Sequence, residues 1–542
     1  MPKITFSIKD LEQLVGAKLD GKLQELIETA KGEIENVVGD EITVKISDTN
    51  TPWLWSVEGL ARFFKGILGK EKGLYQLKTK SNPTYQVVVE KVNARPCIAN
   101  FVCRGPAITE NILVQLIQLQ EKLSEIYGRK REKVSIGIYP TKNINWPITY
   151  KTIRPDLAKF IPLDFREELN LYEILEKHPK GKAYGHLLKD FNRWPILVDA
   201  NGQILSFPPI INSETTGRVA PGDNEIFFDA TGTDEAVVNL VTNIFASALA
   251  DRGYTIFSCK IKRGKKSFYT PDCKTMSFKL DFKKVSEVIG VKLSAPQIKK
   301  LLEKFRYGLK GNKVEVPCYR QDIMDQVDII EDIAIAYGYK NILDEAIKIY
   351  NKGEYPKKID TINKIRELAI GAGYQEIFSS MLGSKELLLE KMRLEDENLI
   401  ELANPMSLQF ACVRNSLLPY LLDVFAKNKK EPYPQKIFEQ GLVTIKFGDE
   451  AKDLNRIALA TCHAKANFTE IKQTVEFILR SIGANYKFEE INHDSFIPGR
   501  VAAILVNDKK IGFFGEIAPE VLSNFKIEQP VGAAEFDLEV FF

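Results

Sequence analysis

The chain of 542 residues is too long to fold around a single hydrophobic core, so its length predicts several domains. Apolar residues make up 44% and charged residues 27%, which is typical of a globular protein, and no run of about 18 apolar residues indicates a transmembrane helix. The formal net charge of +3 is too small to indicate an obligate nucleic-acid binder.

The seven cysteines indicate the cellular compartment. Their number is odd, no two of them form a CxxC pair, and the first residues, MPKITFSIKD, contain no apolar signal core. A reducing environment fits this pattern best, because secreted proteins usually pair their cysteines. We therefore expect a cytoplasmic protein without structural zinc or disulfide bonds.

An internal repeat organises the chain. The segment LEQLVGAKL (11–19) resembles VSEVIGVKL (285–293), and in both copies an aspartate, Asp48 or Asp322, follows the shared glycine at the same distance. Each copy is predicted as helix, turn, helix, short β segment, turn and helix. The copies define two helix-turn-helix-like units that span residues 1–87 and 276–348.

Two basic stretches lie between the repeats. They are YGRKREK (127–133) and CKIKRGKKS (259–267). Either stretch could contact a phosphate backbone. Solvated surface lysines are the simpler interpretation of both.

The central block, residues 88–272, carries candidate polar groups at a strand end. The stretch PILVDANGQILSFPPIINSETTG (195–217) predicts a β-hairpin with an Asn-Gly turn. The next segment predicts a strand, a loop, a long helix and a strand, with Asp229 and Thr231 on one face near the end of the first strand. This arrangement predicts either a site for a small polar ligand or only a capped turn between strand and helix.

The second repeat carries a cluster of acidic residues in the stretch YRQDIMDQVDIIEDIAIAYGY (319–339). A helix that starts near Met324 places three of the acids on one face, and the first acid precedes the helix on a loop. No lysine or arginine lies between the first and the last acid to pair with them. The cluster predicts either a Mg²⁺ site, because Mg²⁺ prefers carboxylate oxygens, or a solvated helix with acids near its N-terminus. Its members are Asp322, Asp328, Glu331 and Asp332.

Five ordered stretches carry a family resemblance that covers essentially the whole chain. They are DTNTPWLWSVEGLARFFKG, VPCYRQDIMDQVDIIEDIAIAYGY, LANPMSLQFACVRNSLLPYLL, IFEQGLV and GFFGEIAPEVL. In this order they resemble the β subunits of phenylalanine–tRNA ligases of the archaeal and eukaryotic cytosolic type. The resemblance implies a protein that attaches phenylalanine to its tRNA together with an α subunit, which binds phenylalanine and ATP, in an (αβ)₂ heterotetramer.

The resemblance favours the metal interpretation of the acidic cluster. In the family these carboxylates coordinate Mg²⁺ that is shared with the α subunit, and the match falls on Asp322, Asp328, Glu331 and Asp332. The first repeat keeps only two acids of this set, so any metal belongs to the second copy.

The resemblance also implies that residues 88–272 are an editing domain, which hydrolyses tyrosine wrongly attached to the phenylalanine tRNA. A second site is needed because an apolar synthetic pocket rejects an added hydroxyl group only about 10²-fold. The family's editing residues fall on Leu197, Ser206, Asp229 and Thr231. Leu197 would pack on the ring, and the other three would hold the phenol or the attacking water. None of the four histidines lies beside them in sequence, so a positioned water is expected rather than a nucleophilic triad.

The last block, residues 355–542, follows a polar linker, NKGEYPKKID, and resembles a class II synthetase core that has lost its chemistry. Arg414 lies where the family has its second motif, but Asn415 and Ser416 follow it instead of an acid two positions on. The stretch KKIGFFGEIAPEVL (509–522) has no arginine that could grip ATP. We therefore expect no aminoacyl-adenylate synthesis on this chain.

Together these features predict an α+β multidomain fold, in which two helix-turn-helix-like units flank an α/β editing domain and precede a degenerate class II-like core with an antiparallel sheet. Two other functions remain possible. One is a free-standing hydrolase of misacylated tRNA that needs no partner, and the other is a tRNA-binding scaffold subunit. The scaffold would need basic recognition helices, and the predicted helices at 56–66 and 325–339 are apolar or acidic.

Overall fold

The computed structural model describes residues 1–346, 351–395 and 399–542. They form an α+β protein of two compact units, of which the first ends at Ala346 and the second comprises the remainder of the chain. Residues 347 and 348, at the end of the second predicted helix-turn unit, lie outside the described residues. No helix in the described ranges has the length and apolar character needed to cross a bilayer.

The first repeat begins the chain. Its elements are β1 (Lys3–Ser7), α1 (Ile8–Val15), α2 (Leu23–Thr29), β2 (Gly32–Val38), β3 (Glu41–Ile46) and α3 (Val57–Ile67). The strands form an antiparallel sheet in the order β1-β3-β2. Ser7 caps α1 by accepting a hydrogen bond from the backbone N–H of Asp10, and Gly16 ends the helix with a φ of 71°.

A ten-stranded mixed sheet follows. The elements of this block are β4 (Thr79–Val89), β5 (Cys97–Arg104), α4 (Glu110–Lys122), β6 (Val134–Pro140), β7 (Ile148–Ile153), β8 (Lys159–Phe160), β9 (Leu169–Asn170), α5 (Leu171–Lys177), α6 (Pro179–Tyr184), β10 (Trp194–Val198), β11 (Ile204–Phe207), β12 (Ile211–Asn212), α7 (Glu214–Gly217), β13 (Glu225–Gly232), α8 (Glu235–Asp251), β14 (Thr255–Arg263) and β15 (Lys266–Thr270). The strand order is β12-β11-β10-β7-β4-β14-β5-β13-β6, and β15 pairs with β14.

Within this sheet β4 runs parallel to β7 and β14, and the other neighbours are antiparallel. The β10–β11 pair confirms the hairpin predicted at Asn-Gly, and the succession β13, α8, β14 confirms the predicted strand, helix and strand. The sheet already begins with β4, ahead of the expected boundary at residue 88.

The second repeat closes the first unit. Its elements are β16 (Met276–Lys279), α9 (Phe282–Ile289), α10 (Ala295–Lys304), β17 (Gly308–Lys310), β18 (Lys313–Val316) and α11 (Gln326–Tyr337). The sheet order β16-β18-β17 repeats that of the first copy, and Gly290 ends α9 with a φ of 78° as Gly16 ends α1. The repeat is therefore confirmed. Each copy also has a strand ahead of its first helix, which the comparison of sequences missed because this strand precedes the matching segments.

The two copies pack directly against each other. Gly66 of α3 approaches α10 so closely that a Cβ atom would lie 2.0 Å from the carbonyl oxygen of Lys304. The ring centroids of Trp53 and Tyr319, one from each copy, are 5.7 Å apart. The copies thus share one apolar interior and the cavity described below.

The second unit is built on a seven-stranded sheet. Its elements are α12 (Lys357–Gly371), β19 (Gln375–Glu376), β20 (Leu382–Gly383), β21 (Cys412–Val413), α13 (Leu418–Lys427), β22 (Gln435–Phe447), β23 (Glu450–Cys462), α14 (Phe468–Ser481), β24 (Tyr486–Glu490), β25 (Phe496–Val506), β26 (Lys509–Ile517), α15 (Pro519–Phe525) and β27 (Val531–Asp537). The order is β19-β22-β23-β27-β26-β25-β24, antiparallel except for the parallel pair β19–β22.

Candidate functional site

Ser206 and Asp229 meet at a small cavity on one face of the ten-stranded sheet. We call it the sheet cavity, and its volume is about 50 Å³, which is room for a few water molecules. Besides these two residues its walls include Gln120, Arg131, Ser135, Gly137, Tyr139, Lys180, Pro209 and Asn212. The structure therefore brings together two of the four predicted editing residues, which lie on β11 and β13.

Asp229 contributes a carboxyl group to the sheet cavity. It lies on β13 between Asn100 of β5 and Gly137 of β6, and the amide of Asn100 donates a hydrogen bond of 3.1 Å to its Oδ1. Burial raises the pKa of Asp229 to about 7, although the Asn100 amide and the charge of Arg95 oppose the rise. The carboxyl group can therefore both accept and release a proton near neutral pH.

Ser206 is oriented by a tyrosine that the sequence did not single out. The hydroxyl of Tyr139 donates a hydrogen bond of 2.9 Å to Ser206 Oγ. The phenol can lie there because Gly137 has no side chain, since a Cβ atom on Gly137 would be 2.3 Å from the Tyr139 oxygen. Ser206 Oγ thus accepts from Tyr139 and keeps its own proton for a second partner.

The other two predicted editing residues lie beside the sheet cavity but not on its surface. Leu197 is fully buried and pairs with Ser206 across β10 and β11, in an apolar cluster that also contains Tyr139. Thr231 Oγ1 is 3.2 Å from Ser135 Oγ, and its carbonyl oxygen accepts a hydrogen bond of 2.6 Å from buried Arg95.

The predicted metal ligands face a second cavity, which lies between the two repeats. We call it the acidic cavity, and its volume is about 90 Å³. Its polar walls include Lys31, Asp48, Asn50 and Thr51 from the first copy and Arg320, Asp322, Asp328, Glu331 and Asp332 from the second. All four predicted ligands are therefore gathered in one place.

Two basic residues from outside the interval between the first and the last acid pair with the cluster. Arg320, just ahead of the cluster, places its Nε 3.0 Å from Asp322 Oδ1 and its Nη1 2.9 Å from Asp332 Oδ2. Lys31 from the other copy places its Nζ 2.9 Å from Glu331 and 3.1 Å from Asp48. Arg320 reaches the acids because the chain folds back on itself ahead of the helix, and Lys31 reaches them because the two repeats pack together.

The carboxylate oxygens of the cluster are suitable ligands for Mg²⁺, but in this structure they are not arranged around one point that a metal ion could occupy. Asp328 completes a capping box at the start of α11 and accepts the backbone N–H groups of Met324 and Asp325 at 2.7 and 3.0 Å. The described ranges contain no group of three or more His, Cys, Asp or Glu residues arranged to hold a metal ion. Asp328 and the half-exposed Glu331 are the acids that could turn most easily toward a cation, because Arg320 already neutralises Asp322 and Asp332.

The residues that the sequence analysis missed include Arg320, Lys31, Asn100 and Tyr139. Arg320 had a signal, since it lies next to the acidic stretch. Lys31, Asn100 and Tyr139 had none, because each reaches its site through pairing or packing of segments that are far apart in the chain.

Comparison with known proteins agrees with these observations. The model of the tRNA synthetase B5 domain matches residues 278–339, and that of the phenylalanyl-tRNA synthetase beta chain CLM domain matches residues 347–538. The chain is 40% identical over 555 residues to the phenylalanine–tRNA ligase beta subunit of Pyrococcus abyssi, with 100% of both chains covered. The chain belongs to the family of phenylalanine–tRNA ligase β subunits.

Other members of this β-subunit family agree in length and in structure. The β subunit of Archaeoglobus fulgidus is 38% identical over 552 residues, which cover 100% of this chain and 99% of that protein. The crystal structure of an N-terminal fragment of the β subunit from Pyrococcus horikoshii is 40% identical and superposes with a TM-score of 0.60, covering 62% of this chain and all of the fragment. The chain is thus a subunit of a ligase that serves protein biosynthesis.

Proposed function

We propose that this β subunit hydrolyses tyrosine from wrongly charged phenylalanine tRNA at the sheet cavity. The observation that carries the proposal is a buried carboxyl group with a pKa of about 7, Asp229, facing a water-sized cavity beside the hydroxyl of Ser206. A general base works best when its pKa lies near the working pH. The polar and charged side chains in the walls of this cavity also favour a polar ligand.

The chemistry is ester hydrolysis by a positioned water. Ionised Asp229 takes a proton from the water while the water oxygen attacks the carbonyl carbon of the tyrosyl ester. The bond between that carbon and the ribose oxygen then breaks, and the ribose oxygen receives the proton from Asp229. Ser206 can donate its hydroxyl proton to the water or to the ester oxygen, because Tyr139 occupies it only as an acceptor.

The size of the cavity favours water over the phenol as the ligand of Ser206 and Asp229. A volume of about 50 Å³ accommodates a few water molecules, so the tyrosyl ring would lie at its mouth. In this arrangement Leu197 supports the strand of Ser206 from the apolar side, and Thr231 positions Ser135 in the wall.

We further propose that an α subunit carries the binding of ATP and phenylalanine, in an (αβ)₂ heterotetramer of the cytoplasm. In support, Arg414 is fully buried and forms an ion pair of 2.7 Å with Glu439, so its guanidinium is unavailable to ATP. Among the described residues of the second unit, the large apolar side chains of Phe378, Met406 and Leu408 are more than four-fifths exposed, as expected of residues that a partner covers. The purified chain alone should show no ATP–pyrophosphate exchange with phenylalanine, and measurable exchange would contradict the proposal.

We propose Mg²⁺ as the cation of the acidic cavity. Asp322, Asp328, Glu331 and Asp332 would hold it, and it would supply positive charge that joins this cavity to the α subunit. The proposal is supported by the four carboxylates that line one cavity. Arg320 and Lys31 would compete with Mg²⁺ for these carboxylates.

The decisive experiment replaces Asp229 in the complex of this chain with its α partner. Asp229→Ala should slow hydrolysis of tyrosyl-tRNA about 10- to 100-fold, because an ionised hydrogen-bonding group is worth about 1.5–3 kcal/mol. Phenylalanylation should stay at the wild-type rate, because the α subunit performs it. Asp223→Ala is the matched control, since this buried aspartate precedes β13 at its other end and pairs with Lys142.

Two outcomes would contradict the assignment. Full tyrosyl-tRNA hydrolysis by Asp229→Ala would place the editing site elsewhere, and loss of both activities would make Asp229 a folding residue. Equal hydrolysis by the chain with and without the α subunit would instead favour the free-standing hydrolase, and tRNA binding with no hydrolysis by wild type would favour the scaffold subunit.

A further inference from the structure

The strand that carries Asp229 and Thr231 ends at the edge of the sheet that is formed by strand ends rather than by an outer strand. Several basic segments meet at this edge. The last residue of β13, Gly232, pairs with Cys97 at the start of β5 and with Val134 at the start of β6. Arg263, the last residue of β14, donates a hydrogen bond of 2.8 Å to the carbonyl oxygen of Pro96, just ahead of β5. The tip of the β14–β15 hairpin and the turn that precedes β6 therefore lie at the same end of the sheet as the candidate editing strand.

The hairpin tip is strongly basic. Residues 259–270 contain five lysines or arginines and no acid, and four of the five are exposed at the tip: Lys262, Arg263, Lys265 and Lys266. Two aromatic side chains of the same hairpin, Phe268 and Tyr269, are 37% and 53% exposed. Cations beside exposed aromatic rings are the combination with which proteins hold the phosphates and unpaired bases of single-stranded nucleic acid.

The turn ahead of β6 adds two cations through an unusual backbone. Arg129, Lys130 and Arg131 are three successive non-glycine residues with positive φ angles of 50°, 51° and 65°, a conformation that L-residues avoid. The buried side chain of Arg131 holds the turn by donating hydrogen bonds of 3.0 and 3.1 Å to the carbonyl oxygens of Pro209 and Ile210. Arg129 and Lys130 are left exposed.

Arg131 links this strained turn to the sheet cavity, because Pro209 and Ile210 belong to the wall of that cavity. Strained backbone persists where the surrounding structure enforces it, and such places are often functional. The turn thus connects a wall of the candidate editing site to exposed positive charge.

The exposed cations of this edge are not committed to carboxylates. Among the described residues none of the six lies within 4.0 Å of an acid, whereas the neighbouring Lys133 pairs with Asp234 at 3.0 Å. We call these six the basic edge; they are Arg129, Lys130, Lys262, Arg263, Lys265 and Lys266. Unpaired cations in a cluster attract a polyanion with little cost for breaking existing ion pairs.

We infer that the basic edge binds the phosphates at the 3′ end of a tRNA, so that the aminoacyl ester reaches the sheet cavity. The inference deepens the proposed editing function and rests on it. RNA fits better than another polyanion, because the exposed rings of Phe268 and Tyr269 can stack on the unpaired bases that only the 3′ end of the tRNA offers at this distance from the ester.

The experiment measures binding of uncharged phenylalanine tRNA to the full chain between about 50 and 200 mM salt. The hairpin variant combines Lys262→Gln, Arg263→Gln, Lys265→Gln and Lys266→Gln. We expect it to bind at least about tenfold more weakly at the middle of this range, and to lower the slope of log affinity against log salt by about 2 to 3, which is about 0.7 for each lost phosphate contact. A variant with arginine at the three lysine positions should bind like wild type.

The matched control removes the same charge from another exposed surface of the first unit. It combines Lys279→Gln, Lys292→Gln, Lys300→Gln and Lys313→Gln in the second repeat, where these lysines also lack carboxylate partners. The control should keep the wild-type slope. An equal loss in both variants would mean that only net charge matters, and would overturn the inference.

A truncated tRNA locates the contact. When the unpaired 3′ nucleotides are removed, wild type should lose affinity and become indistinguishable from the hairpin variant, because the variant has already lost that contact. A hairpin variant that weakens binding of complete and truncated tRNA by the same factor would place the basic edge against another part of the tRNA and would overturn the inference. Binding is measured without hydrolysis, so a wild type that fails to deacylate tyrosyl-tRNA would remove the proposed editing function without deciding this result.

Discussion

The sheet cavity and the acidic cavity both contain buried carboxyl groups but supply them with different partners. In the acidic cavity Arg320 lies between Asp322 and Asp332; burial raises the pKa of Asp332 to about 6, and the guanidinium of Arg320 limits this rise, so the carboxylate is largely ionised at neutral pH. In the sheet cavity Asp229 receives one amide hydrogen bond, from Asn100, and burial raises its pKa to about 7. A buried carboxyl group is therefore structural or reactive according to the charge beside it.

The largest effect that separates the two cavities should come from removing the guanidinium. Arg320→Met leaves two buried carboxylates without a counter-charge, which should lower the free energy of unfolding of the first unit by about 3–5 kcal/mol. Urea unfolding followed by tryptophan fluorescence measures this, because all four tryptophans belong to the first unit: Trp53, Trp55, Trp146 and Trp194.

Lys31→Met is the control for this prediction. The Lys31 side chain is 42% exposed and its ammonium group also faces two acids, so its loss should cost about 1 kcal/mol or less. Equal costs for the two substitutions would show that burial of Arg320 does not matter, and the contrast between the cavities would fail.

The pH dependence of the free energy of unfolding should reveal the raised pKa of Asp229. Its pKa is about 7 in the folded chain against 3.8 for an unperturbed aspartate, so the folded state binds the proton more tightly. Its contribution to stability is complete below about pH 4 and is lost as the pH rises to about 7, at up to about 1.4 kcal/mol for each pH unit. Asp229→Asn should therefore gain about 2–3 kcal/mol over wild type between pH 5 and pH 8.

Tryptophan-monitored urea unfolding at the two pH values gives this difference, and the comparison with wild type cancels the groups that both proteins share. A difference that does not change with pH would show that Asp229 is ionised throughout, as a carboxylate with a cationic partner would be. The sheet cavity would then resemble the acidic cavity.

The orientation of Ser206 by Tyr139 should be worth less. Tyr139→Phe removes the hydrogen bond of 2.9 Å and frees the serine hydroxyl to rotate, which should slow tyrosyl-tRNA hydrolysis about tenfold in kcat with little change in KM. In a Ser206→Ala background the same substitution should have no further effect, because Tyr139 acts through Ser206. Additive effects of the two substitutions would contradict this coupling.

The smallest effect on stability is expected from Asp328 and Glu331, the two acids of the cluster that do not pair with Arg320. Asp328→Asn combined with Glu331→Gln should change the stability of α11 by only a few tenths of a kcal/mol, since it removes repulsion as well as favourable contacts. The same double variant should weaken assembly with the α subunit and reduce the Mg²⁺ dependence of that assembly, measured by size-exclusion chromatography with and without Mg²⁺. Assembly that is unchanged with and without Mg²⁺ would contradict the assignment of a metal to the acidic cavity.

Local patterns predicted much of the fold. The repeat followed from matched helices that both end at a glycine with positive φ, Gly16 and Gly290, and the β10–β11 hairpin followed from its Asn-Gly turn. These features depend on residues close together in the chain, where turn chemistry and periodicity act. The strands β1 and β16 were not predicted, because a short strand is defined by its partner across the sheet rather than by its own residues.

The sequence predicted several residues of the candidate sites, but not which side chains contact the cavities or which partners surround them. The sequence picked out Asp229 and the four acids of the second repeat, and the structure gathers Asp229 with Ser206 at one cavity and the four acids at another. Leu197 and Thr231 were expected to face the ligand but lie beside the sheet cavity. Which side chains reach a cavity depends on strand register and twist, which the sequence of one strand does not contain.

By itself the sequence determined the family, the internal repeat and the set of acids, because motifs in order along the chain are sufficient for these. Only the tertiary structure decided the state of each acid. Arg320 folds back onto Asp322 and Asp332, whereas β5 brings the neutral amide of Asn100 to Asp229. The pKa of a buried carboxyl group depends on charges and dipoles within a few ångströms, and the fold supplies these from segments that are distant in sequence.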